Sequence, residues 1–242
     1  MAKKNFDELR PYLPKELDVV AAGGWNTVQS LAADPKGALL QVIENQQVKK
    51  ASGGRLKRLK TKVKNLFKRK KSAAGASAVN SSHLDAIVAL LQAQGKGYDS
   101  SIDGKWMLVF SRQGKKSPRL QKLVLRKDTA ASPKGTSTSD FDTSKLEFYN
   151  TFDFAKGKLS STVAYRPSAD NFDIVGSDKS VVLRRILCDI TNVAFKKGPI
   201  RVSFPFLKKK GGFLDVLYLD KDVRVTRGNR GGLAVHSRPG VM

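Results

Sequence analysis

The 242-residue chain is poor in the side chains that most enzymes and metalloproteins use. It has one cysteine, Cys188, and two histidines, His83 and His236. A single cysteine excludes an intramolecular disulfide framework and fits a reducing compartment. No Ser-His-Asp or Cys-His order is present, and no His, Cys or carboxylate cluster has metal-ligand spacing. The sequence therefore predicts a non-enzymatic protein without a metal or catalytic cofactor.

The chain also lacks the long apolar segments that cross membranes as helices. No apolar run approaches the roughly 18 residues of a membrane span. Met1 to Asp18 contains four acidic residues, which does not match a secretory signal.

Acidic residues are scarce overall. The chain has 45 Lys and Arg but 21 Asp and Glu, a formal net charge of +24. Twelve of the basic residues lie between Lys49 and Lys71, where no acid occurs. Such a balance favours polyanionic partners, which are nucleic acid, anionic lipid surfaces or acidic protein faces.

The basic segment from Arg55 to Lys71 has the spacing of an amphipathic helix. One face carries its apolar residues, and cations such as Lys60, Lys64 and Arg69 fill the rest. The apolar residues are Leu56, Leu59, Val63, Leu66 and Phe67. This pattern predicts contact with an anionic lipid surface or a membrane protein complex. The alternative is a solvated helix that covers a hydrophobic patch of its own chain.

Helical periodicity before this segment covers Asn26 to Gln47, with an interruption predicted at Asp34-Pro35. The small residues from Ser72 to Ser82 predict a flexible linker, and Ser82 is a candidate N-cap for a helix over His83 to Gln94. We therefore divide the chain into a basic helical extension with linker, residues 1–82, and a second domain, residues 83–242.

Apolar and polar residues alternate with period two from Lys105 onward. Several short segments of this kind, separated by Gly, Pro and Lys-Lys turns, predict a mainly β fold that is an antiparallel sandwich or barrel. Lys127 to Ser144 is predicted as a long polar loop. The aromatics in the inward phase are Trp106, Phe110, Phe148, Phe152, Phe154, Phe204 and Phe206. They could fill a small barrel or surround one ligand.

Three segments resemble the plastid lipid-associated protein family, the fibrillins. They are IDGKWMLVFS at 102–111, the FDT-to-FDF stretch at 141–154, and YLDKDVRVTRGNRGG at 218–232. The resemblance covers about residues 84–239. It implies a lipocalin-like antiparallel barrel that binds an apolar lipid or prenyl-lipid. It also implies a plastid location, at the thylakoid, plastoglobule or stroma. The acidic residues of Met1 to Asp18 argue against an intact transit peptide, so the presequence is expected to be absent from this chain.

The resemblance also suggests how the barrel ends are used. A Gly-x-Trp on the first strand and an arginine on the last often close one end of lipocalin-type barrels, so Arg227 is expected to stack on Trp106. Arg224 and Arg227 are expected near the polar head group of a lipid. Lysine clusters such as Lys208 to Lys210 would draw a barrel mouth to an anionic membrane, or would only protect strand edges.

Two further functions compete with lipid binding. A filled barrel could be a structural subunit that tethers a large photosynthetic membrane assembly through its basic extension. Nucleic-acid binding would require aromatics exposed among basic residues on a strand face. The inward phase of the aromatics disfavours it.

Overall fold

The computed structural model describes residues 25–45, 74–94, 96–112, 136–154, 157–175 and 179–241. The chain divides into two compact units, Met1–Ala93 and Gln94–Met242. The predicted basic helix, Arg55 to Lys71, lies outside the described residues. Its contact with a membrane or a partner therefore stays a prediction.

The described part of the first unit is helical. Helix α1 spans Trp25–Ala33, α2 spans 35–45, and α3 spans Ala74–Ala93. The predicted interruption at Asp34 is confirmed: the Asp34 carboxylate accepts a 2.8 Å hydrogen bond from the Gly37 N–H and caps α2. None of these described helices combines the length and apolar character that crossing a membrane requires.

The helix predicted over His83 to Gln94 is confirmed as the second half of α3, and it buries an apolar stripe. Its members Leu84, Ile87, Val88 and Leu91 are all buried. The flexible linker predicted for Ser72 to Ser82 is wrong, because α3 already begins at Ala74 and places Ser82 inside the helix. Alanine has the highest helix propensity of all residues, and the four alanines between 73 and 78 outweigh the one glycine and one serine among them.

The second unit is built from β-strands. The described strands are β1 (Gly104–Arg112), β2 (Ser137–Asp142), β3 (Glu147–Phe154), β4 (Gly157–Pro167), β5 (Phe172–Val175), β6 (Ser180–Leu183), β7 (Arg185–Lys197), β8 (Ile200–Ser203), β9 (Lys209–Leu219), β10 (Val223–Gly228) and β11 (Leu233–Ser237). Short 3-10 turns occupy Ser100–Ile102 and Pro205–Leu207.

Eight of these strands form a closed antiparallel barrel, which confirms the predicted fold class. The ring runs β1-β2-β3-β4-β7-β9-β10-β11 and returns to β1. Strands β5 and β6 form a separate hairpin, and β8 pairs only along one side of β7. A closed ring has no free edge strands, so its inner face is enclosed on all sides.

Strand β2 lies inside the segment that was predicted as a polar loop, 127–144. It pairs with β1 on one side and β3 on the other. The sequence Ser137–Asp142 carries few apolar residues, so its alternation is hard to see. Ser139 and Phe141 are nevertheless buried while Asp140 is exposed. Pairing on both sides overrides a weak local pattern.

One end of the barrel interior is filled by an apolar cluster centred on Trp106, which we call the packed end. The cluster's buried members are Ile102, Trp106, Phe141, Phe148, Val163, Tyr165, Ile186, Val216 and Leu219. The Trp106 side chain is completely buried, and its indole Nε1 donates a 2.7 Å hydrogen bond to the Ile102 carbonyl. This bond satisfies the only polar atom of the indole.

The arginine that covers Trp106 from the chain terminus is Arg238, so the predicted Trp106–Arg227 stack is wrong. The Arg238 guanidinium lies 3.8 Å from the indole centre, and its Nη2 donates to the Ser101 carbonyl at 2.8 Å. Arg227 pairs instead with Asp215 and Leu233 across the neighbouring strands. Since Trp106 lies near the Ser237 end of β11, Arg227 is several residues too far along the barrel.

We predict that Arg238→Ala lowers the unfolding free energy by about 2 kcal/mol, because it removes a cation–π contact and a charge-assisted hydrogen bond. Urea denaturation of the full chain would measure this. Arg227→Ala is the matched control and should cost less than about 1 kcal/mol. An equal loss of unfolding free energy in the two variants would contradict the conclusion that Arg238, and not Arg227, stacks on Trp106.

Candidate functional site

The barrel interior beyond the packed end is a cavity of about 600 Å³. All eight strands of the ring contribute to its lining. The apolar wall consists mainly of Leu108, Phe141, Phe148, Val163, Ile190 and Leu214. This volume lies within the range of about 300–1,000 Å³ that small-molecule sites occupy. The barrel is therefore hollow over part of its length, and the question left open by the sequence is answered against a completely filled core.

A buried arginine lies where the cavity meets the packed end. Arg224 projects inward from β10 and is only 1% exposed. Its guanidinium lies 4.6 Å from the Phe141 ring centre and 5.2 Å from that of Trp106. Its Nε and Nη1 are buried and have no hydrogen-bond partner among the described residues. Burial, with repulsion from Arg238, lowers the pKa of Arg224 to about 9, so the group is still charged at neutral pH.

His236 stands directly opposite Arg224 on β11, and both side chains line the cavity. Its ring is buried, and Nδ1 has no hydrogen-bond partner among the described residues. Burial, and secondarily the charge of Arg224, holds the pKa of His236 well below its usual value. The His236 imidazole is therefore neutral near pH 7, with one ring nitrogen able to donate a hydrogen bond.

The rest of the polar lining is uneven in charge. Ser139 donates a 2.7 Å hydrogen bond to the Asn150 side-chain oxygen, which satisfies this pair within the wall. The cationic residues in the lining are Arg112, Lys209, Arg224 and Arg230. No aspartate or glutamate is among the described residues of the lining. The described lining consequently carries cationic side chains and no carboxylate.

Metal and nucleophile chemistry find little support in this cavity. Among the described residues, no group of three His, Cys, Asp or Glu could hold a metal ion. Cys188 lines the cavity, but burial raises the pKa of its thiol to about 12. A thiol in that state carries almost no thiolate at neutral pH and is a poor nucleophile.

An exposed surface next to the cavity combines apolar and cationic side chains. We call residues 196–210 the hairpin surface; it includes the turn into β8, β8 itself and the Pro205–Leu207 turn. Phe206 is 77% exposed and Ile200 is 62% exposed. Its exposed cations are Lys196, Lys197, Arg201, Lys208, Lys209 and Lys210, and the segment contains no acid. Lys209 also lines the cavity, so the two features adjoin.

Comparison with known families decides where this barrel belongs. The PAP_fibrillin family model matches residues 57–237. The chain belongs to the PAP_fibrillin family. Searches of curated proteins and of solved structures gave no match. The fibrillin match begins at residue 57, inside the basic segment, and so extends further toward the N-terminus than the resemblance over 84–239.

Membership of the fibrillin family has coarse implications for this chain. It implies association with the plastid, and fibrillins are generally structural, lipid-associated proteins rather than enzymes. The family match does not identify a ligand, a membrane or a partner.

Two of the predicted lipid-binding residues do line the fibrillin cavity, Arg224 and Phe148. Trp106 lies in the packed end beneath Arg224. Phe110 is buried but is not among the lining residues. The register of β1 against β11 shifts between Leu108 and Phe110, and such a bulge reverses which side chains face inward.

The other predicted residues are not among those that line the cavity. Phe152 continues the inward phase of β3 but is half-buried outside the lining, and the burial of the Phe154 side chain lies outside the description. Phe204 packs edge-on against Phe206, 5.7 Å between ring centres, in the hairpin surface. Phe204 follows β8, which is not part of the closed ring, so it does not face the cavity. Its contact with a lipid stays a prediction. Arg227 is also absent from the lining. It lies three residues after Arg224 on β10, so its side chain is on the opposite face of the strand.

Sequence reasoning missed His236, although a signal for it exists. The glycine-rich turn at 228–232 joins β10 to β11, and counting back equally from its centre places residue 224 opposite residue 236. A histidine and an arginine that face each other across a hairpin, on the same face, would have indicated a polar site. Val223 and Val225 lie on the other face of β10, which is also buried, so their apolar pattern wrongly indicates that face as the interior.

We predict that His236 makes the barrel less stable in mild acid. The folded-state pKa is depressed, so below about pH 6.5 the unfolded chain binds a proton that the folded chain does not, and stability falls as pH falls. Between pH 7.5 and 5.5 this group should cost about 1 kcal/mol of unfolding free energy. Its neighbour across β10 is the cation Arg224, and across β1 the apolar Leu108.

Urea denaturation at the two pH values would test this. His236→Gln should lose less stability in acid than the wild type by that amount. The control His83→Gln changes the other histidine, on α3, and should behave like the wild type. The same acid sensitivity in all three proteins would contradict the assignment.

Proposed function

We propose that this fibrillin binds one lipid molecule inside its barrel and does so at a plastid membrane surface, the thylakoid or the plastoglobule, without catalysing a reaction. The observation that carries the proposal is the cavity of about 600 Å³ with a mainly apolar wall. Burying a lipid chain against such a wall is favourable in proportion to the apolar area removed from water. The filled-barrel rival is disfavoured by the same cavity.

We predict that filling the cavity abolishes lipid binding. Ala234 lines the cavity from β11, and Ala234→Trp should cut the affinity for a fluorescent long-chain lipid by at least about tenfold, because the indole occupies the ligand's volume. Fluorescence titration of the full chain would measure this.

Thr151→Trp provides the matched control. Thr151 alternates with Asn150 on β3, and Asn150 lines the cavity, so the added indole lies on the opposite face. This variant should bind as the wild type does. Equal binding by Ala234→Trp, or a wild type that binds no lipid, would sink the proposal.

The membrane part of the proposal rests on the hairpin surface. Ile200, Val202, Phe206 and Leu207 are all exposed on this surface, and an exposed apolar patch rimmed by polar residues is typical of a protein or membrane contact. Six exposed cations surround them, and each Lys or Arg near an anionic bilayer contributes about 1 kcal/mol of attraction. Lys209 lies both in this surface and in the cavity lining, so lipids could pass between membrane and barrel over a short distance.

We predict that Phe206 enters the acyl region of anionic vesicles. The variant Phe206→Trp should gain fluorescence that lipid-attached quenchers in mixed phosphatidylcholine–phosphatidylglycerol vesicles reduce. Quenching should weaken in high salt, since the Debye length falls from about 10 Å at 0.1 M to about 3 Å at 1 M. This local readout does not depend on whether the basic N-terminal segment also binds the vesicles.

Phe172→Trp is the control for that experiment. Phe172 is 48% exposed on the β5–β6 hairpin, but residues 170–178 around it include three aspartates. Its tryptophan should remain unquenched. If Phe206→Trp is quenched no more than Phe172→Trp, the hairpin surface does not bind membranes.

The tethering alternative depends on the basic segment, which lies outside the described residues. Nothing in the described structure favours it, and it would be supported if the full chain ignored vesicles and instead bound a defined membrane protein complex. Nucleic acid is disfavoured as a partner of the barrel interior, because Trp106, Phe141 and Phe148 are buried there. Phe206 is exposed among the cations of the hairpin surface, so the vesicle experiment is the test that decides for a membrane at that surface.

A further inference from the structure

Two buried arginines of this unit, Arg184 and Arg224, differ in their hydrogen-bond partners. Arg184 is buried, and its Nε donates to the Asp173 carboxylate at 2.6 Å while its Nη1 donates to two backbone carbonyls, those of Lys96 and Leu217, at 3.1 Å each. Arg224 is more deeply buried, yet its Nε and Nη1 have no hydrogen-bond partner among the described residues. The fold satisfies one buried guanidinium and leaves the other open toward a cavity.

An unpaired buried cation is costly, because it has lost its hydration without gaining a counter-ion. The faces of Phe141 and Trp106 lie close enough to Arg224 for cation–π attraction. Aromatic faces offset part of the lost hydration but accept no strong hydrogen bond from its N–H groups. The arrangement is therefore complete only when something else in the cavity accepts those hydrogen bonds.

The surroundings of Arg224 favour an anion for this role. A second guanidinium, that of Arg238, contacts the same indole from 3.8 Å, which adds to the positive potential at the cavity floor. His236 offers an unpaired ring nitrogen directly opposite. Arg112, Lys209 and Arg230 extend the positive charge toward the mouth, and the described lining contains no acid.

We propose that the barrel selects a single-chain amphiphile with a compact oxyanion head group, a carboxylate, which binds at Arg224 and His236 on the cavity floor while its chain lies along the apolar wall. This inference rests on the proposed function, because it names the class of lipid that the cavity takes. It excludes a lipid with a neutral head group, such as a quinone or an ester, as the preferred ligand.

The wall and the volume fit this class of ligand. Phe148, Val163, Ile190 and Leu214 form apolar surface around the cavity, where methylene groups lose contact with water. Charge-assisted hydrogen bonds to a carboxylate are about twice as strong as neutral ones, so most of the selectivity should come from the floor. A phosphate head group offers the same chemistry and must be distinguished by experiment.

The test compares three ligands of one chain length: a long-chain fatty acid, its methyl ester and the corresponding alkyl phosphate, each displacing a neutral fluorescent probe from the full chain. The wild type should bind the acid at least about tenfold more tightly than the ester, which corresponds to about 1.4 kcal/mol. Arg224→Gln should reduce this ratio to near one while leaving ester affinity unchanged. Arg227→Gln, the same change on the other face of β10, should keep the wild-type ratio.

The outcomes separate the two proposals. A wild type that binds the acid and the ester equally would overturn the head-group site and leave lipid binding intact, whereas a wild type that binds none of the ligands would overturn lipid binding itself. An alkyl phosphate that binds more tightly than the acid would overturn the carboxylate assignment.

A measurement on the wild type alone keeps the inference testable if Arg224→Gln does not fold. The carboxyl carbon of a ¹³C-labelled fatty acid reports its own ionisation. Bound to the barrel, it should remain ionised to a lower pH than the same acid in neutral detergent micelles, because a guanidinium favours the charged form. Protonation at the same or a higher pH would contradict a carboxylate at Arg224.

Discussion

The hydrogen-bonded pairing of β4 with β7 is the interaction on which the rest of the barrel depends. It joins Lys158–Pro167 to Ile186–Lys196 and converts a sheet with two edges into a ring. The strands approach closely where the pairing begins: a Cβ on Gly157 would lie 2.6 Å from the Lys196 carbonyl oxygen, and Gly157 has a φ of +154°. Without this closure the interior would be open to water, and neither the cavity nor a desolvated arginine could exist.

Closure of the ring also determines how strongly each charged side chain interacts with its surroundings. Outside the ring, Arg185 pairs with Asp215 through 2.6 and 3.2 Å hydrogen bonds in contact with water, and such partly exposed pairs contribute little. Inside, Arg224 has rings and a neutral histidine around it, and the low local dielectric strengthens its attraction for any anion. The packed end concentrates apolar burial, while the cavity keeps an unsatisfied cation. The packed end thus contributes mainly to the stability of the barrel, and the cavity to its selectivity for a ligand.

Much of the fold could be predicted from the sequence because alternation is local. The period of two from Lys105 onward indicates strands, and the segments around Trp106 and Tyr218 carry the family resemblance. The faces were harder to predict. Val223 and Val225 are as buried as Arg224. Because both faces of β10 are buried, the apolar residues of this strand do not show which face points into the barrel. The shift between Leu108 and Phe110 reverses β1 part-way along its length. Whether β8 joins the ring depends on long-range pairing, which alternation near Phe204 does not encode.

Cations are distributed along the path from the hairpin surface to the floor of the cavity, which favours one direction of ligand entry. The hairpin surface carries six of them beside exposed Phe206, the cavity lining adds Arg112 and Arg230, and the floor holds Arg224. If a carboxylate binds at the floor, its head group must enter first, and each of these levels would lower its electrostatic energy along the way. The chain would follow into the apolar wall, with its end left toward the hairpin surface. A neutral lipid would experience no such gradient, so the same charges that favour an anion at equilibrium would also favour its entry.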